Sequence, residues 1–174
     1  MVASVDGFIA KPDNSVSWFE TEDSYDKGVA GEDSAEFLKT IDCYVMGART
    51  YEHALALSRS YGWAYGDTPT VVVTHRDLVV ERPNIELYSG GLEKLVSQRL
   101  RPRFGNVWVV GGAALVKAFL QAGLADEVRM TVLPVMLGDG LRFFDRTEKE
   151  SALHLKDVTA YKNGMVELWY EIRR

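Results

Sequence analysis

Short, nearly continuous apolar runs alternate with amphipathic segments over most of the chain. Four of these runs predict strands, at residues 43–46, 70–74, 85–88 and 107–110. The runs at 70–74 and 107–110 are rich in β-branched residues, which is typical of strands buried on both faces of a parallel sheet. Helical periodicity follows at residues 48–60, 91–100 and 113–120. This alternation predicts an α/β fold with helices on both faces of a mainly parallel sheet.

The first forty residues carry a weaker pattern. Residues 1–4 favour a short strand, and residues 5–10 favour the loop that leaves it, because Asp6-Gly7 is typical of turns. A strand that opens at the initiator Met indicates either a clipped first strand or a start further upstream. Residues 11–31 predict a long polar loop, in which Trp18 either walls a pocket or anchors the loop. A short helix is predicted over residues 32–40.

The last third of the chain favours antiparallel pairing. Residues 126–134 alternate as a strand does, and a glycine-rich turn follows at 135–140. Asn163-Gly164 then separates two strand-like runs, which is a strong hairpin signal. Since the sequence has no internal repeat and no linker, we expect a single domain over 1–174 that ends in an antiparallel hairpin.

Charge and composition exclude several classes of function. Twenty basic against twenty-five acidic residues give a net charge of −5 without a dense Lys/Arg run, so neither nucleic acid nor a membrane is an expected partner. Cys43 is the only cysteine, which excludes an intramolecular disulfide. His53, His75 and His154 lack metal-ligand spacing, so no metal is expected. Without a signal peptide, the cytoplasm is the expected compartment.

Three predicted strand ends carry groups that suit phosphate. The first has Gly47, Ala48, Arg49 and Thr50, the second Thr74, His75 and Arg76, and the third Gly111, Gly112, Ala113, Ala114 and Leu115. Glycines let a ligand approach the main chain, and a helix N-terminus directs N–H groups and its positive dipole end at an anion. Thr50 is also a candidate cap of its helix. Three such sites on one sheet edge indicate a dinucleotide, although Gly111-Gly112 and Arg49, each taken alone, are equally explained without a ligand.

Familiar catalytic motifs are absent from the sequence. There is no GxGxxG fingerprint, no GxSxG nucleophile elbow, no GxxxxGK[ST] phosphate loop and no HExxH. No nucleophile with an obvious base is evident either. This absence is consistent with hydride transfer, in which the cofactor performs the chemistry and the protein orients it.

Six segments, in the same order, resemble the dihydrofolate reductase superfamily. They are residues 3–10, 45–52, 73–76, 109–113, 123–128 and 133–140. The last two look most like the branch related to the reductase domain of bacterial riboflavin biosynthesis. The resemblance covers nearly the whole chain, and it implies a mixed, mainly parallel eight-stranded sheet with NADPH as the hydride donor.

The resemblance also implies a role for each matching segment. The glycine-rich starts of two helices, at 47–50 and 111–115, would meet the pyrophosphate, and residues 74–76 would hold the 2′-phosphate of the adenosine ribose. Ile9 and Ala10 would lie near the nicotinamide. A cis peptide is implied between the paired glycines Gly111 and Gly112. The acid that holds the pterin in true dihydrofolate reductases falls within residues 31–36, where no register is clear.

We therefore expect an NADPH-dependent reductase that passes hydride to a C=N or C=O bond of a small heterocyclic substrate, pterin-like or ribosylaminopyrimidine-like. Asp6 and the loop of Trp18 form the expected substrate side, with Asp6 either a proton donor or a brace of its turn. The alternative is a non-catalytic NADP(H)-binding or structural protein that keeps the fold. The hairpin edge and the family precedent favour a homodimer.

Overall fold

The structure is a computed structural model, and it describes residues 1–20, 22–30, 37–144 and 150–173. The chain divides into two compact units: a discontinuous unit of Met1–Ser34 with Ala125–Arg174, and a central unit of Ala35–Leu124. The predicted α/β class, with a mainly parallel sheet and helices, is confirmed. A single domain over 1–174 and a single sheet of eight strands stay predictions.

The elements follow one another in an alternating order. The strands are β1 (Val2–Ser4), β2 (Phe8–Ala10), β3 (Cys43–Gly47), β4 (Thr70–Val73), β5 (Ile85–Tyr88), β6 (Val107–Gly111), β7 (Glu127–Leu133), β8 (Leu141–Arg142), β9 (Leu153–Ala160) and β10 (Val166–Ile172). The helices are α1 (Ala48–Tyr61), α2 (Leu92–Lys94), which continues as a π-helical segment (Leu95–Leu100), and α3 (Ala113–Gln121). None of the described helices is both long and apolar enough to cross a membrane.

The central unit is built on a four-stranded sheet that is parallel throughout, in the order β5-β4-β3-β6. Its two inner strands, β3 and β4, are buried at nearly every position, so both faces of the sheet are covered at its centre. Val45 packs on one face with Leu95 and Phe119, and Met46 packs on the other face with Tyr51. Successive residues of a strand point to opposite faces, and helices therefore lie on both sides of this sheet.

Glycines mark the ends of the central strands and helices. Gly47 is the N-cap of α1, and Gly112 is the N-cap of α3. The prediction that Thr50 caps α1 is wrong, because that helix begins at Ala48 and Thr50 lies inside its first turn. Gly123 follows α3 with φ 64°, the left-handed conformation that a terminating glycine supplies.

The discontinuous unit contains a mixed sheet in the order β1-β7-β10-β9. β1 and β7 are parallel, whereas β10 pairs antiparallel with both β7 and β9. Between β9 and β10 the Tyr161 N–H donates to the Met165 carbonyl (2.8 Å), and Gly164 takes φ 78°. β9 and β10 are therefore adjacent antiparallel strands joined by a tight turn.

Residues 5–10 are not all loop, contrary to the expectation. Phe8–Ala10 forms β2, which pairs antiparallel with β8. The Phe143 N–H donates to the Gly7 carbonyl (2.9 Å) beside this ladder. Periodicity missed β2 because three residues directly after a turn are too few to establish an alternating pattern. Most of the helix expected over 32–40 lies outside the described residues.

Candidate functional site

The three predicted phosphate-binding segments meet at one edge of the central sheet. β3 lies between β4 and β6 and runs parallel to both, so the carboxyl ends of all three strands face the same way. Gly47 is in register with Val73 on one side, and Met46 is in register with Gly111 on the other. The segments 47–50, 74–76 and 111–115, which are far apart in sequence, are thereby brought together.

Two helices, α1 and α3, begin at this edge. In the part of the chain that the structure describes, no side-chain capping hydrogen bond accompanies the N-cap Gly47 or the N-cap Gly112. The first N–H groups of a helix have no intrahelical acceptor, and together with the helix dipole they attract an anion. The first turns of α1 and α3, which hold Ala48–Thr50 and Ala113–Leu115, thus present backbone donors that suit a phosphate.

The glycines keep the space between these helix starts open. A Cβ on Gly47 would lie 3.8 Å from the Gly111 carbonyl oxygen, and one on Gly112 would lie 3.4 Å from Thr50 Oγ1. The peptide bond between Gly111 and Gly112 is cis, so this prediction is confirmed. Thr50, although it is no cap, places its hydroxyl beside the second helix start. The residues present therefore fit a pyrophosphate held between the two N-termini.

The segment after β4 forms a compact, exposed turn. The Arg76 N–H donates to Thr74 Oγ1 (2.9 Å), which closes the turn around His75. The Arg76 guanidinium donates from Nη1 (3.0 Å) and Nη2 (2.6 Å) to the two carboxylate oxygens of Glu52 on α1. Sequence reasoning missed Glu52, because its partner comes from another element. Glu52 follows Arg49 by three residues in a predicted helix, which places the two charges side by side. This spacing was the sequence signal that could have indicated Glu52.

Asp6 lies in the discontinuous unit and is held by three hydrogen bonds. Its carboxylate accepts from Ser4 Oγ (2.6 Å), the Leu137 N–H (3.1 Å) and the Gly138 N–H (2.7 Å). These bonds, the Ser4 hydroxyl first, lower the pKa of Asp6 to about 2. An ionised carboxylate engaged in this way suits a brace between two turns, and the geometry disfavours Asp6 as a proton donor.

Trp18 combines the two roles that the sequence left open. It is only 7% exposed and contacts Phe19 edge to face, with ring centroids 4.8 Å apart, so it anchors its loop. It also lines a cavity of about 350 Å³ within the discontinuous unit, next to Pro134 and Val135. Its buried indole N–H has no hydrogen-bond partner among the described residues. A ligand in this cavity would meet an aromatic wall.

Two further groups of residues are considered for the nicotinamide and the pterin. Ile9 and Ala10 belong to β2 in the discontinuous unit, and their contact with a nicotinamide stays a prediction. The three acids within residues 31–36, considered for the pterin, lie outside the described residues.

Comparison with known proteins supplies the family. The family described as RibD C-terminal domain matches residues 1–167. The uncharacterized protein YwjB of Bacillus subtilis (strain 168) is 30% identical over 171 residues, which cover 98% of this chain and 94% of that protein.

Solved structures with low sequence identity share the fold. A protein from Shewanella sp. PV-4, named provisionally for riboflavin biosynthesis, has a TM-score of 0.83 at 21% identity, with 100% of this chain and 97% of that one covered. The diaminohydroxyphosphoribosylaminopyrimidine deaminase/5-amino-6-(5-phosphoribosylamino)uracil reductase of Thermotoga maritima has a TM-score of 0.67 at 13% identity. The match covers 99% of this chain and 55% of the Thermotoga chain.

The whole-chain family match and these structural neighbours confirm the resemblance to the dihydrofolate reductase superfamily in its riboflavin-biosynthesis branch. The match includes the ends of β3, β4 and β6 as well as Asp6 and Trp18. The chain belongs to the RibD C-terminal domain family.

Proposed function

We propose that this chain is an NADPH-dependent reductase that passes hydride to a C=N or C=O bond of a small heterocyclic substrate. The observation that carries the proposal is the convergence of three phosphate-suited segments at one edge of the central sheet. Membership of a family whose structural neighbours include a pyrimidine reductase supports the same chemistry.

Each segment has a distinct part in the proposed cofactor site. The N–H groups at the starts of α1 and α3 bind the pyrophosphate, with Thr50 as an additional donor. Thr74, His75 and Arg76 bind the 2′-phosphate, for which a guanidinium is well suited. Ile9 and Ala10 contact the nicotinamide ring. The cofactor supplies the hydride when bound, so the protein needs to orient two ring systems rather than provide a nucleophile.

The substrate is proposed to bind on the side of Trp18. Its cavity has an aromatic wall and is bordered by Glu20, Glu22 and Asp23. A flat, uncharged or protonated ring suits such a lining better than a free anion does, because carboxylates repel negative charge. A pterin-like or ribosylaminopyrimidine-like ring that stacks on Trp18 satisfies this condition.

The test combines binding and turnover. NADPH is titrated by calorimetry, and its oxidation is then followed by absorbance with pterins, pyrimidines and quinonoid compounds as acceptors. Saturable binding with turnover on one acceptor supports the reductase, whereas the absence of saturable binding refutes it. Binding without turnover on any acceptor indicates the alternative, a non-catalytic NADP(H)-binding protein. That alternative is favoured by one observation, the engagement of Asp6 in a brace.

A homodimer is proposed from the mixed sheet of the discontinuous unit. The register places Leu155 beside Tyr170 and Val158 beside Leu168, on a single face of the sheet. Leu155 is 47% exposed and Val158 is 53% exposed. The described residues of this unit include no helix. An apolar sheet face of this kind is typical of an interface between subunits.

With a single buried cysteine, the cytoplasm is the proposed compartment.

A further inference from the structure

The adenosine end of the proposed site contains an ion pair that the family resemblance did not indicate. Glu52 on α1 and Arg76 after β4 meet side chain to side chain, through two hydrogen bonds of 3.0 and 2.6 Å. Both side chains are exposed, 43% for Glu52 and 58% for Arg76. The pair is therefore open to a ligand.

The geometry of the pair leaves part of each group available. A guanidinium has five N–H donors, and Glu52 takes one from each terminal nitrogen of Arg76. The remaining donors of Arg76 still suit a phosphate. The carboxylate of Glu52 retains lone pairs that can accept from a hydroxyl group. The hydrogen bonds from Arg76, with that cation and Arg49 nearby, lower the pKa of Glu52, which is therefore ionised at neutral pH.

These two groups select opposite cofactors. In dinucleotide sites an acid accepts a hydrogen bond from the free ribose 2′-hydroxyl of NADH, whereas an arginine accommodates the 2′-phosphate of NADPH. Glu52 and Arg76 bring one group of each kind together at the same place. The negative charge of Glu52 also repels a 2′-phosphate and reduces the positive charge that Arg49 and Arg76 offer it.

We propose that Glu52 is a specificity-determining residue that limits selection for the 2′-phosphate, so that the chain accepts both NADPH and NADH. The inference rests on the proposed function, because it concerns the cofactor site of that reductase. When NADPH is bound, Arg76 meets the 2′-phosphate with its remaining donors; when NADH is bound, Glu52 accepts from the 2′-hydroxyl. The ion pair holds both side chains ready for either ligand.

The magnitude of the effect follows from the exposure of the pair. Charges at this surface interact through water and salt, so a single carboxylate changes the NADPH-to-NADH affinity ratio by roughly three- to tenfold. The attraction of the exposed Arg76 for the 2′-phosphate is screened in the same way and is partly offset by Glu52. The wild-type chain is therefore expected to bind the two cofactors with affinities within about tenfold of each other.

The experiment measures NADPH and NADH affinities by calorimetry for the wild type and for Glu52→Gln, Glu52→Asp and Arg76→Gln. Glu52→Gln is expected to raise the NADPH-to-NADH ratio, through tighter NADPH and weaker NADH binding. Arg76→Gln is expected to lower the ratio. Glu52→Asp, which keeps the charge, is expected to stay near the wild type. Thermal unfolding of each variant monitors its folding.

The outcomes separate this inference from the proposed function. If both cofactors bind and Glu52→Gln leaves their ratio unchanged, or weakens both equally, the inference is overturned while the reductase proposal stands. A wild-type preference for NADPH that clearly exceeds about tenfold would also overturn it. If neither cofactor binds the wild-type chain, the proposed function and the inference fail together.

Discussion

The two four-stranded sheets of this protein differ in strand direction and in exposure to solvent. The central sheet is parallel, and Cys43, Val45 and Met46 of its strand β3 are 0% exposed. In the discontinuous unit, β9 is exposed over most of its length, and Leu155 remains 47% exposed. Apolar residues are abundant in both sheets. Helices pack on both faces of the central sheet, whereas the described residues of the discontinuous unit include no helix.

This contrast assigns different tasks to the two sheets. A strand end held by a core that is buried on both faces has little freedom, so Gly47 and Gly111 are rigidly placed for ligand binding. A half-exposed apolar face has surface left for a partner. We therefore associate the cofactor with the central sheet and subunit association with the mixed sheet.

The largest predicted difference between the units concerns stability. Met46→Ala removes a side chain that is 0% exposed and leaves a cavity, so it is expected to lower the free energy of unfolding by about 2–5 kcal/mol. Met136→Ala is the matched control, because Met136 is 73% exposed in the discontinuous unit, and its effect should stay within about 0.5 kcal/mol. Chemical denaturation measures both. Equal losses would contradict the burial contrast.

The next prediction concerns the open space at Gly47. Gly47→Val places methyl groups beside the Gly111 carbonyl, where the pyrophosphate is proposed to bind. The affinity for NADPH should therefore fall on the order of 100-fold, which corresponds to about 2.7 kcal/mol of binding free energy. Backbone strain is not expected, since Gly47 has φ −84° and ψ 165°.

Gly91→Val is the matched control for this substitution. Gly91 is also an N-cap glycine with an extended backbone, and a Cβ there would have no described residue within 4 Å apart from its chain neighbours. NADPH affinity should be unchanged in this variant when measured by the same calorimetric titration. A similar loss in both variants would show that Gly47→Val acts through the fold and not through the ligand.

The third prediction tests the apolar face of the mixed sheet. Leu155→Lys introduces a charge on that face and is expected to convert a dimer to a monomer, as measured by light scattering after size exclusion. His154→Lys adds a charge on the same strand but on the opposite face, because His154 is in register with Glu171, and should leave the dimer intact. A monomeric wild type would contradict the proposed association.

The smallest expected effect concerns Asp6. Because hydrogen bonds lower the pKa of Asp6 from its ordinary value of 3.8 to about 2, its carboxylate stabilises the fold above pH 3.8 and loses that contribution as the pH falls toward 2. Asp6→Asn should therefore lower the thermal midpoint at pH 7, and the difference from the wild type should shrink below pH 3.8. A difference that is independent of pH would contradict the proposed role of the ionised carboxylate.

Much of the central unit was predictable from local pattern. The runs of β3, β4 and β6 are apolar enough to identify buried parallel strands, and the carboxyl ends of such strands necessarily share an edge. The juxtaposition of Gly47, Thr74 and Gly111 therefore followed from the sequence together with a general rule of α/β folds. The cis peptide at Gly111–Gly112 was predictable only through the family resemblance.

Contacts between distant residues could not be predicted in the same way. Asp6 accepts from the Leu137 N–H, 131 positions away, and nothing local to Asp6 indicates that partner. Glu52 and Arg76 lie on different elements, so their pairing depends on the packing of α1 beside β4. Thr50 was misassigned as a cap because helix boundaries are set by backbone geometry that residue type alone does not determine.

The central claim is that NADPH binds across the carboxyl edge of the central sheet. Amide hydrogen exchange with and without saturating NADPH tests it most directly, since the N–H groups at a helix start have no intrahelical acceptor and should gain one from the ligand. We predict slower exchange in residues 47–50, 74–76 and 111–115, and no change in β9. If saturating NADPH leaves the exchange rates of all three segments unchanged, or slows exchange in β9 instead, the claim is contradicted.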